Sequence, residues 1–124
     1  MRRNTVLIVD DNSDFVEEVT ELLSNAGYRV SSAANHEEAI IEASKSKPDI
    51  ILLDIRFAGN GIKTAEQLAS DEDTSDIPLI VVSGHVDDQV VKRLKEKVDV
   101  RDVLEKTILP LEIIASIESN LNGS

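Results

Sequence analysis

Apolar residues in this chain follow two rhythms. Short unbroken runs such as TVLIV, DIILLD and IPLIVVS alternate with stretches where apolar positions recur every three or four residues. An unbroken run suits a strand buried on both faces of a parallel sheet. Recurrence at three and four marks one face of a helix. Thr5 to Val9 therefore predicts a strand. Phe15, Val16, Val19, Leu22, Leu23 and Ala26 predict a helix that Gly27 stops. Tyr28 to Ser32 predicts a short strand. Asn35 caps a second helix, with Glu38 three residues on as a variant of the capping box and Ala39, Ile40 and Ala43 on its inner stripe.

After Pro48 comes a strand ending at Asp54, then a loop marked by the glycines of FAGNG. Ile62, Ala65, Leu68 and Ala69 suggest a third helix, and SDEDTSD a solvated acidic connector. Ile77 to Ser83 is the next strand. Val86, Val90, Val91, Leu94 and Val98 mark a fourth helix, and Arg101 to Leu104 a last, weaker strand. Pro110 suits the first turn of a final helix, with Leu111, Ile114, Ile117 and Leu121 inward.

Five strands alternating with five helices predict an α/β fold: one doubly wound (βα)5 domain over residues 1–124, its parallel sheet flanked by helices. The length of 124 residues suits one domain, and 41% hydrophobic residues supply a core. Cysteine is absent, which fits a reducing compartment and excludes thiol chemistry. No apolar run approaches the roughly 18 residues of a membrane span, and MRRNT turns acidic too soon for a signal peptide. A cytoplasmic protein without membrane contact is expected. The formal net charge of −11 disfavours direct binding to nucleic acid.

Charge at the strand ends adds chemistry. Ligands of doubly wound sheets bind at the carboxyl ends of the strands. There the chain places Asp10 and Asp11, Asp54, Ser83 with Gly84, and Lys106. Two carboxylates about 4 Å apart repel by roughly 4 kcal/mol at an effective dielectric of 20. Solvent, a helix cap or a divalent cation could offset this. Taken singly, each residue has an ordinary reading: Asp as a helix cap, Ser as a turn residue, Lys as a solvated end. Taken together they fit Mg²⁺ beside an anion. A carboxylate nucleophile would give an aspartyl phosphate, with a lysine and a hydroxyl holding the phosphoryl oxygens.

VDDN, LLDI, VVSG and VLEK, in this order and spacing, resemble the receiver domain of two-component response regulators, and the resemblance covers essentially the whole chain. It implies a flavodoxin-like sheet of strand order 2-1-3-4-5. It implies Asp54 as phosphoacceptor and Mg²⁺, with Mn²⁺ as a substitute, held by Asp10, Asp11, Asp54 and the backbone carbonyl of Arg56. Ser83 and Lys106 would hold the phosphoryl group. The donor would be a sensor histidine kinase or a phosphotransfer protein. The surface of the fourth helix, fifth strand and fifth helix would bind a partner, an output domain or a second copy. Such a protein is not an enzyme beyond its own phosphotransfer and autodephosphorylation.

Three departures stand out. Thr107 replaces the proline that usually follows the lysine through a cis bond, so either a trans bond or a retained cis bond is expected. Val103 replaces the usual aromatic switch residue. His85 follows Gly84 beside the site and reads as a loop histidine, although it and Arg56 are positions that could tune dephosphorylation. A competing function is a receiver-like interaction module that acts without phosphorylation. An aspartyl-phosphate phosphatase ranks lower, because Arg56 stands where a second acid would be needed. A nucleotide-binding domain is disfavoured because no glycine-rich loop follows a strand.

Overall fold

Val6, Ile8, Ile50, Leu52, Ile80 and Val82 point to one side of a parallel sheet, and Leu7, Val9, Ile51, Leu53, Leu79 and Val81 to the other. Both faces are covered, which is why these strands read as unbroken apolar runs rather than as alternations. The structure, a computed structural model, describes residues 4–55, 61–84, 88–106 and 110–122. Its elements in chain order are β1 (Thr5–Val9), α1 (Ser13–Asn25), β2 (Arg29–Ala33), α2 (His36–Ser46), β3 (Ile50–Asp54), α3 (Gly61–Ser70), β4 (Leu79–Ser83), α4 (Asp88–Lys95), β5 (Val100–Glu105) and α5 (Pro110–Asn122). The strands pair in parallel in the order β2-β1-β3-β4-β5, the flavodoxin-like arrangement. Side chains from α1 and α5 cover the Val6–Ile8 face, and those of α2, α3 and α4 the Leu7–Val9 face.

Local chemistry sets the joints. Asn12 caps α1, its Oδ1 accepting from the Phe15 amide at 3.1 Å. Gly27 follows that helix at φ +96°, a region that costs glycine nothing. Asn35 caps α2 by accepting from the Glu38 amide at 2.9 Å. Glu38 reaches back with both carboxylate oxygens, accepting from the Ala34 amide at 3.1 Å and from the Asn35 side-chain amide at 2.9 Å. Lys47 closes α2 at φ 45°, a left-handed conformation that strains a residue with a Cβ. Gly61 opens α3 so close to β3 that an added Cβ would meet the Ile55 carbonyl oxygen at 1.9 Å.

Several sequence expectations shift. β2 begins one residue later than expected, and β4 two residues later, at Leu79 after Pro78. Val98 is buried, but it sits in the turn beyond α4, where its amide donates to the Leu94 carbonyl. Leu111 is 69% exposed rather than inward, and Ile113 is buried in its place. At 100° per residue Leu111 lies well off the stripe formed by Ile113, Ile117 and Leu121. The acidic connector is not wholly solvated, because Thr74 is buried and donates to the Leu68 carbonyl at 2.6 Å. β5 carries an irregularity: Leu79 pairs with Val100 and Ile80 with Asp102, leaving Arg101 as an extra residue. Asp102 is thereby turned toward α5, where the Ser116 hydroxyl donates to it.

Candidate functional site

Each strand end delivers one polar group to the same edge. Asp10 follows β1, with its amide held by the Ala33 carbonyl of β2 at 3.0 Å. Asp54 is the last residue of β3 and pairs in register with Val82. Ser83 ends β4 and is fully buried. Its carbonyl accepts from the Lys106 amide at 2.8 Å, so the end of β4 fixes the backbone from which Lys106 extends.

Carboxylate oxygens of Asp10, Asp11 and Asp54 all lie within 4.8 Å of one another. Asp10 and Asp54 are buried and Asp11 is exposed. The N-cap of α1 is Asn12 rather than either aspartate. Asp10 Oδ1 instead accepts from the Asn12 amide at 2.9 Å. The Lys106 ammonium joins the acids, 2.8 Å from Asp10 Oδ2 and 3.2 Å from Asp54 Oδ2. Its directed bond to Asp10 goes to Oδ1 at 3.1 Å. The closer approach to Oδ2 is poorly aligned, so that buried oxygen keeps an unfilled acceptor.

Burial raises the Asp10 carboxyl above its ordinary value, against the Lys106 hydrogen bond and the Asn12 amide, with the Asp54 charge adding to the rise. For Lys106, burial pulls downward, but the hydrogen bonds and charges of Asp10 and Asp54 outweigh it and the ammonium is held above its usual value. The fit to a hard divalent cation follows from this donor set. It consists of carboxylate oxygens, one of them buried without a directed partner, on residues whose mutual repulsion the ammonium offsets only in part.

The site residues named from the sequence thus come together as Asp10, Asp11, Asp54 and Lys106, with Ser83 at the adjoining strand end. The Arg56 carbonyl, His85 and the bond from Lys106 to Thr107 lie outside the described residues. Val103, three residues before Lys106, packs against the apolar cluster on the α2–α4 side. Two long-range contacts went unmarked in the sequence reading, one at the site and one between α2 and α3. The Phe15 ring lies under the Lys106 ammonium, with Nζ 4.7 Å from its centroid. His36, the first residue of α2, pairs through Nδ1 with Thr64 Oγ1 at 2.8 Å and through Nε2 with Gln67 Oε1 at 2.9 Å, joining α2 to α3. Only the fold brings these pairs together, since 91 positions separate Phe15 from Lys106 and 28 separate His36 from Thr64.

The family model for the response regulator receiver domain matches residues 6–118. The chain belongs to the response regulator receiver family. This receiver domain is 33% identical over 119 residues to protein PilH of Pseudomonas aeruginosa, covering 95% of this chain and 98% of PilH. It is 35% identical over 119 residues to the phosphate regulon transcriptional regulatory protein PhoB of the same organism, covering 94% of this chain and 51% of PhoB. The receiver thus spans nearly the whole of one relative and about half of the other. Among solved structures, the signal receiver domain of a modulated diguanylate cyclase from Desulfovibrio desulfuricans G20 superposes with a TM-score of 0.83 at 29% identity, covering 98% of this chain and 96% of that one. No helix among the described residues is long and apolar enough to cross a membrane.

Proposed function

We propose that this receiver domain takes a phosphoryl group onto Asp54 from the phosphohistidine of a sensor kinase or phosphotransfer protein. One observation carries the reading: three carboxylates within 4.8 Å of one another at the sheet edge, with a lysine ammonium on two of them. An Asp54 oxygen attacks the donor phosphorus, the P–N bond breaks, and its electron pair returns to the donor imidazole. Asp10 and Asp11, with Asp54 itself and the Arg56 carbonyl, would hold Mg²⁺ or Mn²⁺. When bound, that cation supplies neutralisation of charge on the phosphoryl oxygens. Lys106, already against Asp54, meets the new anion, and the Ser83 hydroxyl donates to it. The chemistry ends with this self-phosphotransfer and later loss of the phosphoryl group. A cytoplasmic setting suits such a donor.

Phosphorylation adds roughly −1.5 to −2 charges. Reversing a 1:99 equilibrium requires about 5.5 kcal/mol of differential interaction. A hydrogen bond to a charged group supplies about 1.5–3 kcal/mol. Ser83 alone is therefore too little, and Lys106 must contribute as well. The surface that responds is α4, β5 and α5, where a partner, an output domain or a second copy would bind. Val103 gives β5 no aromatic to rotate, so the shift passes through the backbone around Gly84.

A second reading has one observation in its favour. Lys106 already eases the Asp10–Asp54 repulsion, so the pocket is tolerable without a metal, as an interaction module that never takes phosphate would need. Incubation with Mg²⁺ and acetyl phosphate, followed by intact mass, separates the two. One added phosphoryl group on the wild type and none on Asp54→Ala supports phosphotransfer. An unchanged wild-type mass leaves the interaction module.

A further inference from the structure

Besides Asp10 and Asp54, the Lys106 ammonium has an aromatic neighbour. Nζ stands 4.7 Å from the centre of the Phe15 ring, inside the roughly 6 Å over which a ring face attracts a cation. The ring is anchored twice. Its backbone amide is capped by Asn12 Oδ1, so Phe15 is fixed in the first turn of α1, four residues after Asp11. The side chain also packs against the apolar cluster under α1 and α5. Lys106, by contrast, arrives from the far edge of the sheet, three strand positions from β1. The ring therefore ties a long, flexible cation to the side of the sheet that carries Asp10 and Asp11.

A neutral ring suits this place better than another acid. A further carboxylate would add to the Asp10–Asp54 repulsion and compete with both as a cation ligand. A ring face attracts the ammonium without doing either. Its pull is also weaker than a charge pair, which leaves the ammonium free to follow a new anion on Asp54.

We propose that Phe15 is a positioning residue for phosphotransfer: its ring holds the Lys106 ammonium over the Asp10–Asp54 pair, where that ammonium meets a phosphoryl group on Asp54. This rests on the receiver reading above. The test uses beryllofluoride with Mg²⁺ as the phosphoryl mimic, titrated into wild type, Phe15→Leu, Phe15→Tyr and protein with trifluorinated phenylalanine at position 15. The fluorinated ring keeps the packing but loses the negative face. NMR of the Lys106 ε-CH₂ group in the ligand-free proteins gives a second readout, because a ring face shifts those protons upfield. The expected result is about two- to five-fold weaker beryllofluoride binding for Phe15→Leu, with the Lys106 signals moved to the ordinary lysine position. Phe15→Tyr keeps both properties, and the fluorinated ring weakens binding while the melting temperature holds. Should Phe15→Leu fail to fold, the fluorinated protein decides alone. Wild-type affinity in the fluorinated protein overturns the positioning role and leaves the receiver reading standing. A wild type that takes up neither beryllofluoride nor phosphoryl group overturns the receiver reading and this inference with it.

Discussion

Lys106 Nζ lies 2.8 Å from Asp10 Oδ2, although the two residues stand at strand ends three positions apart in the sheet. The lysine bridges two buried acids, so deleting it leaves like charges facing each other. Loss of one partner of a buried pair costs about 3–5 kcal/mol. The Lys106 side chain keeps 20% exposure, and water softens that figure. Lys106→Met is expected to lower stability by about 2 kcal/mol in EDTA. Added Mg²⁺ is expected to recover more of the loss than it adds to wild type, because the cation replaces the missing charge. Urea unfolding with and without Mg²⁺ measures both effects, and equal Mg²⁺ gains in the two proteins would contradict the bridge.

Asp10 sets a pH dependence whose sign follows from burial. Its carboxyl is raised above the ordinary value of 3.8, so the folded chain holds that proton more tightly than the unfolded chain does. The linked stability is present below the unfolded value and is lost as pH rises through the raised folded value. Asp10→Asn removes this loss. In EDTA the variant is expected to be more stable than wild type at neutral pH, the difference shrinking as pH falls toward about 4. In Mg²⁺ the ranking narrows or reverses, since the variant has lost a ligand. Thermal melts across pH in both buffers check the sign.

Gly61 is required by space. A methyl group there would stand 1.9 Å from the Ile55 carbonyl oxygen, a backbone atom that cannot swing aside. Gly61→Ala is expected to cost about 3 kcal/mol, the upper end of overpacking. It should also weaken beryllofluoride binding, because β3 carries Asp54 immediately before Ile55. An unfolding midpoint within error of wild type would refute the close approach.

Lys47 runs the other way. Its left-handed φ of 45° strains a side-chain-bearing residue at the end of α2. Lys47→Gly is expected to raise stability by about 1 kcal/mol. Phosphorylation should be unaffected, because α2 ends at the opposite edge of the sheet from the acids. Chemical denaturation paired with the acetyl phosphate assay tests both parts.

Much of this was legible in the chain because the dominant signals are local. Unbroken runs such as Val6–Val9 and Ile50–Leu53 announce strands covered on both faces, and Gly27 and Asn35 act within one helical turn of themselves. Asp10, Asp54, Ser83 and Lys106 were readable because each directly ends or follows a strand, and strand ends share an edge. What escaped depends on contacts distant in sequence. Nothing near Phe15 announces Lys106, and nothing near His36 announces Thr64. Leu111 was misplaced because three-residue spacing drifts by about 60° per step around a helix, so its alignment with Ile114 and Ile117 was only apparent. Arg101 hid a register change, since an extra residue in an edge strand leaves no mark on an apolar pattern.

The sheet divides the interior into two oily compartments, one under α1 and α5 and one under α2, α3 and α4. Core changes made on opposite sides share no partners, so their effects on folding should sum like independent increments. Asp10, Asp54 and Lys106 stand at the rim where the strands end, so a change of charge there is expected to reach both compartments, which double-mutant cycles pairing a rim variant with a core variant on each side would measure.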